Sequence, residues 1–418
     1  MTPAARLLAA IDILTRWEQR GEPVDRLLHR WARENRYAGS KDRAAIGDVV
    51  YDALRHWRSG AIAGDTVRAR ILAGLLRHGV NAAEISALFS GERYAPPPLS
   101  RAERAAIEGP LPPPPSDWPA WLWPALEQSH TAPEAFAATQ RVRAPVDLRV
   151  NRGDPAAVAV RLCEDGIETE QGPLSPTALR LKRFARVEAH EAYLAGEFDI
   201  QEVASQTAAL LAVSGLETGG VSPLVIDTCA GGGGKSLAMA AAFGGAVPVI
   251  ASDIAPQRMK DIPARSTRLG VEVRVTPKAA LAAFQARADL VFVDAPCSGS
   301  GTWARTPDAK WLLTPDRLAH LGRAQADVIE QGAALVRPGG RLVYATCSVL
   351  RGENEDIVAT FLNAAAGDAF SRIDLAPVWA EAGLDAHPTP KRFASGEARF
   401  CPLTTATDGF FVAVLQRR

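Results

Sequence analysis

The chain has 418 residues, of which 47 are basic, 47 are acidic and 47% are hydrophobic. A chain of that length outgrows one hydrophobic core, so two or three domains are expected, and collagen-like, disordered and coiled-coil compositions are excluded. Zero formal charge argues against a polybasic protein that coats nucleic acid, although a local basic groove stays open, and the longest apolar run, Leu237 to Ala251, is broken by two glycines and Pro248 before it could cross a bilayer.

From Ala4 to about Gly79 apolar residues recur at helical spacing, first at 7, 8, 11, 14 and 17 and then at Leu27, Leu28 and Trp31, which predicts a small bundle over residues 1–95. Acids at Asp12 and Glu18 give this start no signal-peptide character, so a cytoplasmic protein is expected. SKDRAAIGDVVYDALRHW (40–57) opens on a capping Ser, buries Ile46, Val49, Val50, Ala53 and Leu54, and turns Lys41 and Arg43 outward. Prolines at 96–98, 110, 112–115, 119 and 124 predict a stiff linker over 96–124, in which WPAWLWP (118–124) is aromatic enough to dock on a neighbouring domain. Residues 125–205 read as a small α+β module, with strands at DLRVN (147–151) and ALRLKRF (178–184) and a helix over 155–165. Over 206–418 apolar strands alternate with amphipathic helices, through PLVID, PVIAS, VEVRV, DLVFVD and RLVYAT to an antiparallel-looking last strand, DGFFVAVLQ (408–416). That alternation predicts an α/β domain with a mostly parallel sheet covered on both faces.

Three segments of this last domain carry chemistry. In LVIDTCAGGGGKSLAM (224–239) a buried strand ends at Asp227 and glycines 231–234 open a helix, a pattern that lets backbone amides approach a ligand. A phosphate-binding P-loop would need glycine at position 229, which is Cys. Asp253 ends the next strand, 26 residues after Asp227, where an acid can hold both ribose hydroxyls of an adenosine; NAD and S-adenosylmethionine fit equally well. The strands DLVFVDAPCSGSG and RLVYATCSVLRGENED then bring Asp294, Cys297 and Cys347 to the same end of the sheet. A lone free Cys is usually an inert core residue, but two at neighbouring strand ends beside a cofactor crevice suggest a site. The five cysteines contain no CxxC pair and the seven histidines are scattered, so neither a disulfide nor a metal is expected.

DTCAGGGGK, DAPCSGSGT and TCS followed by ENE resemble the RsmB/NOP/Sun family of RNA cytosine-5 methyltransferases. GEFDIQEVASQTAALL (196–211), LRVN (148–151) and DGFFVAVLQR extend the likeness, and the N-terminal helices resemble the NusB-like head of its bacterial ribosomal RNA branch. The resemblance implies a Rossmann-like class I S-adenosylmethionine-dependent methyltransferase domain, preceded by a NusB-like domain and an RNA-contacting module. It implies Cys347 as the nucleophile that adds to C6 of cytosine, Cys297 as the residue that assists loss of the C5 proton, and Asp294 as a hydrogen-bond donor to N3 whose carboxyl is kept protonated by burial. It places the cofactor on Cys229, Ala230, Gly231, Gly232, Gly233, Gly234, Lys235, Asp253, Arg258 and the Asp294 side. Lys235 either pairs with the methionine carboxylate or braces the loop. RNA contacts are expected from Lys41, Arg43, Arg180, Lys182, Arg183, Arg305 and Lys310.

Two departures from the family pattern stand out. Gly232 replaces a proline in the cradle, and VEVRVTPKAAL (271–281) lacks the Asp that would contact adenine, which leaves Thr276 or a backbone amide for that task. The leading expectation is methylation of cytosine C5 in small-subunit (16S) ribosomal RNA by a monomer. A catalytically weak or inactive RNA-binding assembly factor is the alternative, and an NAD-dependent oxidoreductase, which has no use for PCS and TCS, comes third.

Overall fold

The computed structural model describes residues 1–109, 116–216, 222–384 and 396–418, so Pro110 and Pro112 to Pro115 lie outside it. The chain divides into two compact units, one of Met1–Arg143 with Trp303–Thr314, the other of Ala144–Thr302 with Pro315–Arg418.

The first unit is helical. Helices Pro3–Arg20, Val24–Glu34, Ser40–Arg55 and Val67–Arg77 bury the expected Leu7, Leu14, Leu27, Trp31, Ile46 and Leu54 in one core, to which Ile13 and Leu72 are added, while Leu8, Ile11, Leu28 and Val49 of the expected stripe are half-buried. The segment expected to be an extended linker instead holds a helix, Arg101–Glu108, because Ser100 and Glu103 form a capping box strong enough to start it after the prolines. Trp118 is fully buried, with its ring centroid 4.5 Å from Trp303 and 5.9 Å from Phe136, so the aromatic run docks inside this unit. Helices Trp123–Ser129 and Pro133–Thr139, expected to open the α+β module, also belong here, as does the short segment 303–314 from within the α/β sequence.

The second unit contains two sheets. Strands β1 (Asp147–Val150), β2 (Thr169–Gln171), β3 (Ala178–Leu181) and β4 (Phe198–Ile200) form an antiparallel sheet in the order β2-β3-β1-β4. The larger sheet contains β5 (Val225–Asp227), β6 (Val249–Ala251), β7 (Val273–Val275), β8 (Ala288–Asp294), β9 (Val336–Thr346), β10 (Phe370–Arg372), β11 (Glu397–Phe400) and β12 (Phe410–Arg417). Its order is β10-β12-β9-β8-β5-β6-β7, with β11 on β12. β5 to β9 pair in parallel, whereas β12 returns antiparallel along β9. Alternation along β8 and β9 sends Leu290, Phe292 and Val343 into one core layer and Val291, Val293 and Leu342 into the other. Each such buried side chain contributes about 1.5–3 kcal/mol, which fixes the register of the strand ends. The chain runs outward from β5 to β7 on one side and from β8 to β9 on the other, so the crevice where strand order reverses lies at the carboxyl ends of β5 and β8.

Candidate active site

Asp227, at the end of β5, is wholly buried, and burial pushes its pKa up to about 7. Its carboxylate accepts from the Ser236 hydroxyl at 2.6 Å and from Cys229 N at 3.2 Å, which ties the strand end to the helix Gly234–Ala242 across the glycine loop. Gly233 has φ +79°, and a Cβ there would lie 2.7 Å from Ile262 Cγ1, so the loop admits no side chain at that point. Asp253, buried at the end of β6, accepts from Gly231 N at 2.9 Å and Ala255 N at 2.8 Å, and Arg258 pairs with it at 3.2 Å. Ile254 beside it is 81% exposed, an apolar surface against which a flat ring can rest. Thr276 donates its amide to Ala251 O and its hydroxyl to Arg274 O at 3.4 Å, and Ile254 adds an exposed apolar face beside Asp253. A glycine loop closed to side chains, an oriented acid and this apolar face fit S-adenosylmethionine: the loop amides for its methionine end, Asp253 for the ribose and Ile254 for the adenine.

The cradle is braced from behind by residues that the sequence reading passes over. Arg265 donates to Gly232 O at 2.5 Å and Arg149 to Gly234 O at 3.1 Å. Both converge on Asp199 of β4, which Arg265 and Arg268 approach at 2.6 and 2.9 Å and Arg149 at 4.0 Å. Arg149 is buried on β1, and desolvation pushes its pKa down to about 10. Arg149 of the small sheet and Arg265 of the helix Ile262–Leu269 thus hold the glycine loop, with Asp199 joining them. The available signal was a charged residue alternating with apolar ones in each of LRVN and FDI.

On the other side of the crevice, β8 and β9 pair with Asp294 opposite Ala345, so the residues beyond them emerge side by side. Cys297 Sγ and Cys347 Sγ are 3.4 Å apart. The loop that carries Cys297 is pinned by Gly301, whose amide donates to Cys347 O at 3.0 Å and whose carbonyl accepts from Gly409 N at 2.9 Å. A Cβ at Gly301 would sit 2.0 Å from Gly409 O, so only glycine fits. The hydrogen bond from Cys297, reinforced by the Lys235 ammonium, holds the Cys347 thiol below its ordinary range against burial and the charges of Asp294 and Glu353. The same hydrogen bond, together with burial, pushes Cys297 well above it. Cys229 is a different case: burial pushes its thiol up to about 12, so it is an inert member of the loop.

Lys235 pairs with a carboxylate across the crevice. Its ammonium donates to Asp294 Oδ2 at 2.7 Å and lies 5.0 Å from the centre of the Phe410 ring. Burial works against the ammonium, but the Asp294 carboxylate outweighs it and raises the pKa. Asp294 is correspondingly an ion-pair partner with a side chain 29% exposed, and the expected burial of its carboxyl is absent. A second carboxylate, Glu353 of the ENE motif, is buried and bonded to the serines that follow both cysteines.

The RNA candidates divide. Lys41, Arg43 and Arg183 are exposed, and exposed Lys182 lies 3.8 Å from Glu168. Arg180 is spent on a two-point bridge to Asp147, its cross-strand partner, at 2.7 and 3.2 Å. Lys310 is 0% exposed and donates to Arg55 O, which removes it from any phosphate. Arg305 is half-buried in the same segment of the helical unit.

A mixed sheet with this strand order, a glycine cradle after β5 and two thiols in contact beyond β8 and β9 are the marks of a Rossmann-like methyltransferase of the two-cysteine type. Residues 218–416 match the family model for the 16S rRNA methyltransferase RsmB/F, and residues 118–188 match the ferredoxin-like domain model of the RsmF/B-like methyltransferases. Ribosomal RNA small subunit methyltransferase B of Salmonella paratyphi B is 32% identical over 308 residues, 72% of this chain. The match spans 66% of that protein, just under two thirds of its length. Among solved structures, PH0851 covers 100% of this chain and 99% of its own with a TM-score of 0.74 at 23% identity. NSun6 from Pyrococcus horikoshii, solved with SFG, covers 72% of this chain and 98% of its own with a TM-score of 0.59 at 18% identity. The chain belongs to the RsmB/F methyltransferase family.

Proposed function

We propose that this protein uses S-adenosylmethionine to methylate C5 of a cytosine in small-subunit (16S) ribosomal RNA, in the cytoplasm, through a covalent bond from Cys347 to C6 of the base. The observation that carries this reading is the contact of two thiols at adjacent strand ends beside the Lys235–Asp294 pair. S-adenosylmethionine, when bound, supplies an electrophilic methyl group. C5 of cytosine is too weak a nucleophile to accept it unaided; addition of the Cys347 thiolate to C6 pushes electron density onto C5.

The proton shared by the two thiols orders the later steps. Cys297 keeps its proton while it faces a thiolate. Once Cys347 is bonded to carbon that charge is gone, and Cys297 is then able to release its proton to solvent and, as a thiolate, take the proton on C5; the C5–H electrons re-form the C5–C6 double bond and Cys347 leaves as a thiolate. In this reading Asp294 accepts from the exocyclic amino group of the base, and Lys235, bonded to its carboxylate at 2.7 Å, supplies the proton that a bond to N3 requires. The base reaches this crevice unpaired or flipped out of its helix. The NusB-like helical head and the small four-stranded sheet serve to hold the surrounding RNA, with Lys41, Arg43, Lys182 and Arg183 as phosphate contacts.

The test is transfer of labelled methyl from S-adenosylmethionine to small-subunit ribosomal RNA. Wild type is expected to produce 5-methylcytosine, Cys347→Ala none, and Cys297→Ala a protein–RNA adduct that survives denaturing electrophoresis. Full activity in Cys347→Ala overturns the reading.

A further inference from the structure

Both cysteines are followed by serine, Cys297 by Ser298 and Cys347 by Ser348, and both serines turn to the same buried group. The Glu353 carboxylate, 2% exposed, accepts from the Ser298 hydroxyl and the Ser348 hydroxyl, each at 2.5 Å, through Oε2. Its Oε1 accepts from Ser298 N at 2.8 Å and from Gln325 Nε2 at 3.0 Å, and Gln325 also donates to Pro296 O at 2.9 Å. Tyr344 OH donates to the Glu353 carbonyl at 2.7 Å, which fixes the turn that carries the carboxylate. Four donors from three separate segments satisfy one buried charge, and two of those segments hold the reacting sulfurs.

We propose that Glu353 is the positioning residue of the site: its carboxylate clamps the two cysteine loops at the register that brings the sulfurs into contact. A neutral hydrogen-bonding residue could hold the loops, but a charged acceptor makes shorter and stronger bonds to the serine hydroxyls. The charge also has a cost that only a reactive site would tolerate, since it opposes a thiolate at either sulfur. The groups that face the Cys347 sulfur are Cys297 and the Lys235 ammonium, which favour the thiolate, and Asp294 and Glu353, which oppose it. Tyr344, behind them on β9, stays a neutral phenol because burial raises its pKa. Glu353 thus trades some ionisation of Cys347 for a defined distance between the thiols. The repeated Cys-Ser pair in PCS and TCS has a physical reason: each serine is a handle on the same carboxylate.

This inference rests on the methyl-transfer reading for its kinetic arm and on thiol chemistry alone for the other. Cys347 is the sole cysteine of the tryptic peptide 342–351, so its alkylation by iodoacetamide can be followed against pH by mass spectrometry in the full chain. In Glu353→Gln the alkylation midpoint of Cys347 is expected at lower pH than in wild type, because a negative charge is gone. Single-turnover methyl transfer is expected to fall by about 10²-fold, the cost of a misplaced reacting group, with cofactor affinity unchanged. In Ser348→Ala the carboxylate stays but loses a donor, so the midpoint should move the opposite way, to higher pH. Glu353→Asp keeps the charge on a shorter arm and should lose rate without lowering the midpoint. Should Glu353→Gln not fold, Ser348→Ala and Glu353→Asp carry the test alone. A wild-type rate and midpoint in Glu353→Gln, or a shift of the Gln and Ala variants in the same direction, overturns the proposal. If wild type transfers no methyl to RNA while the opposed shifts appear, the clamp stands and the methyl-transfer reading fails.

Discussion

The carboxyl ends of β5 and β6 and those of β8 and β9 lie along one edge of one sheet, yet they are built from different material. Beyond β5 and β6 the surface is backbone, a loop of glycines whose carbonyls are held from outside by Arg149 and Arg265 and whose Gly231 amide is aimed by Asp253. Beyond β8 and β9 it is side chains: two thiols in contact, Asp294 paired with Lys235, and Glu353 bonded to the serines that follow both cysteines. A backbone surface recognises by shape and tolerates change anywhere its glycines are kept. A surface of reacting side chains fails with the loss of any one of them. The first should therefore fail in binding and the second in chemistry.

Substitutions can break that division, and the largest effect belongs to the thiols. Cys347→Ala removes the nucleophile, and the rate of methyl transfer should drop by about 10⁴-fold or more while cofactor affinity holds. Cys297→Ala sharpens the point through pH. Without the S–H that donates to Cys347, the thiolate loses its first support, so the acid limb of adduct formation should move to higher pH than in wild type. A limb that stays in place would mean that Lys235 alone sets the ionisation.

On the backbone side the prediction is one of affinity and stability. Asp199→Asn leaves Arg149, Arg265 and Arg268 around an uncharged amide, and breaking a buried charge cluster in this way costs about 3–5 kcal/mol. The melting temperature should fall and KM for the cofactor rise, with the maximal rate less affected. Asp253→Asn is milder: it keeps the loop geometry but weakens the ribose contact, and KM should rise about tenfold at nearly constant kcat. Equal losses of kcat in these two variants would erase the distinction between the two halves of the edge.

The two halves also differ in how far their sequence betrays them. The glycine run, Asp253 and the strands PLVID, DLVFVD and RLVYAT announce themselves, because backbone approach demands glycine and a sheet buried on both faces demands unbroken apolar runs. β2, β4 and β10 (TEQ, FDI and FSR) are as short as β5 but carry polar or charged residues in place of an unbroken apolar run, so nothing marks them. The bracing Asp199 and the clamping Glu353 were illegible for another reason: each is defined by partners 50 or more residues away, among them Arg149 and Arg265 for the first and Ser298 for the second. The same limit hid the Asp147–Arg180 bridge, which follows from a strand register that composition does not encode.

Lys310 gives the smallest effect and the sharpest contrast. Lys235, whose side chain is 13% exposed, and Lys310, which is fully buried, are two of only seven lysines in the chain. The first touches a carboxylate and its pKa is raised; the second donates to a carbonyl, Arg55 O at 3.1 Å, and burial pushes it down to about 7 against the pull of Asp117, with Arg141 and Arg55 adding repulsion. Its ordinary value is 10.5. Between about pH 7 and 10.5 the unfolded chain therefore holds a proton there that the folded one does not, so this residue makes stability rise with pH across that window. Lys310→Met should be within about 1 kcal/mol of wild type at pH 7, since an apolar chain of similar length replaces a charge that the fold holds poorly. The melting temperature of wild type should then gain on the variant as the pH is raised from 7 towards 10. If instead the variant loses RNA affinity with its melting curve unchanged, Lys310 is reaching solvent after all, and the burial that separates it from Lys235 is wrong.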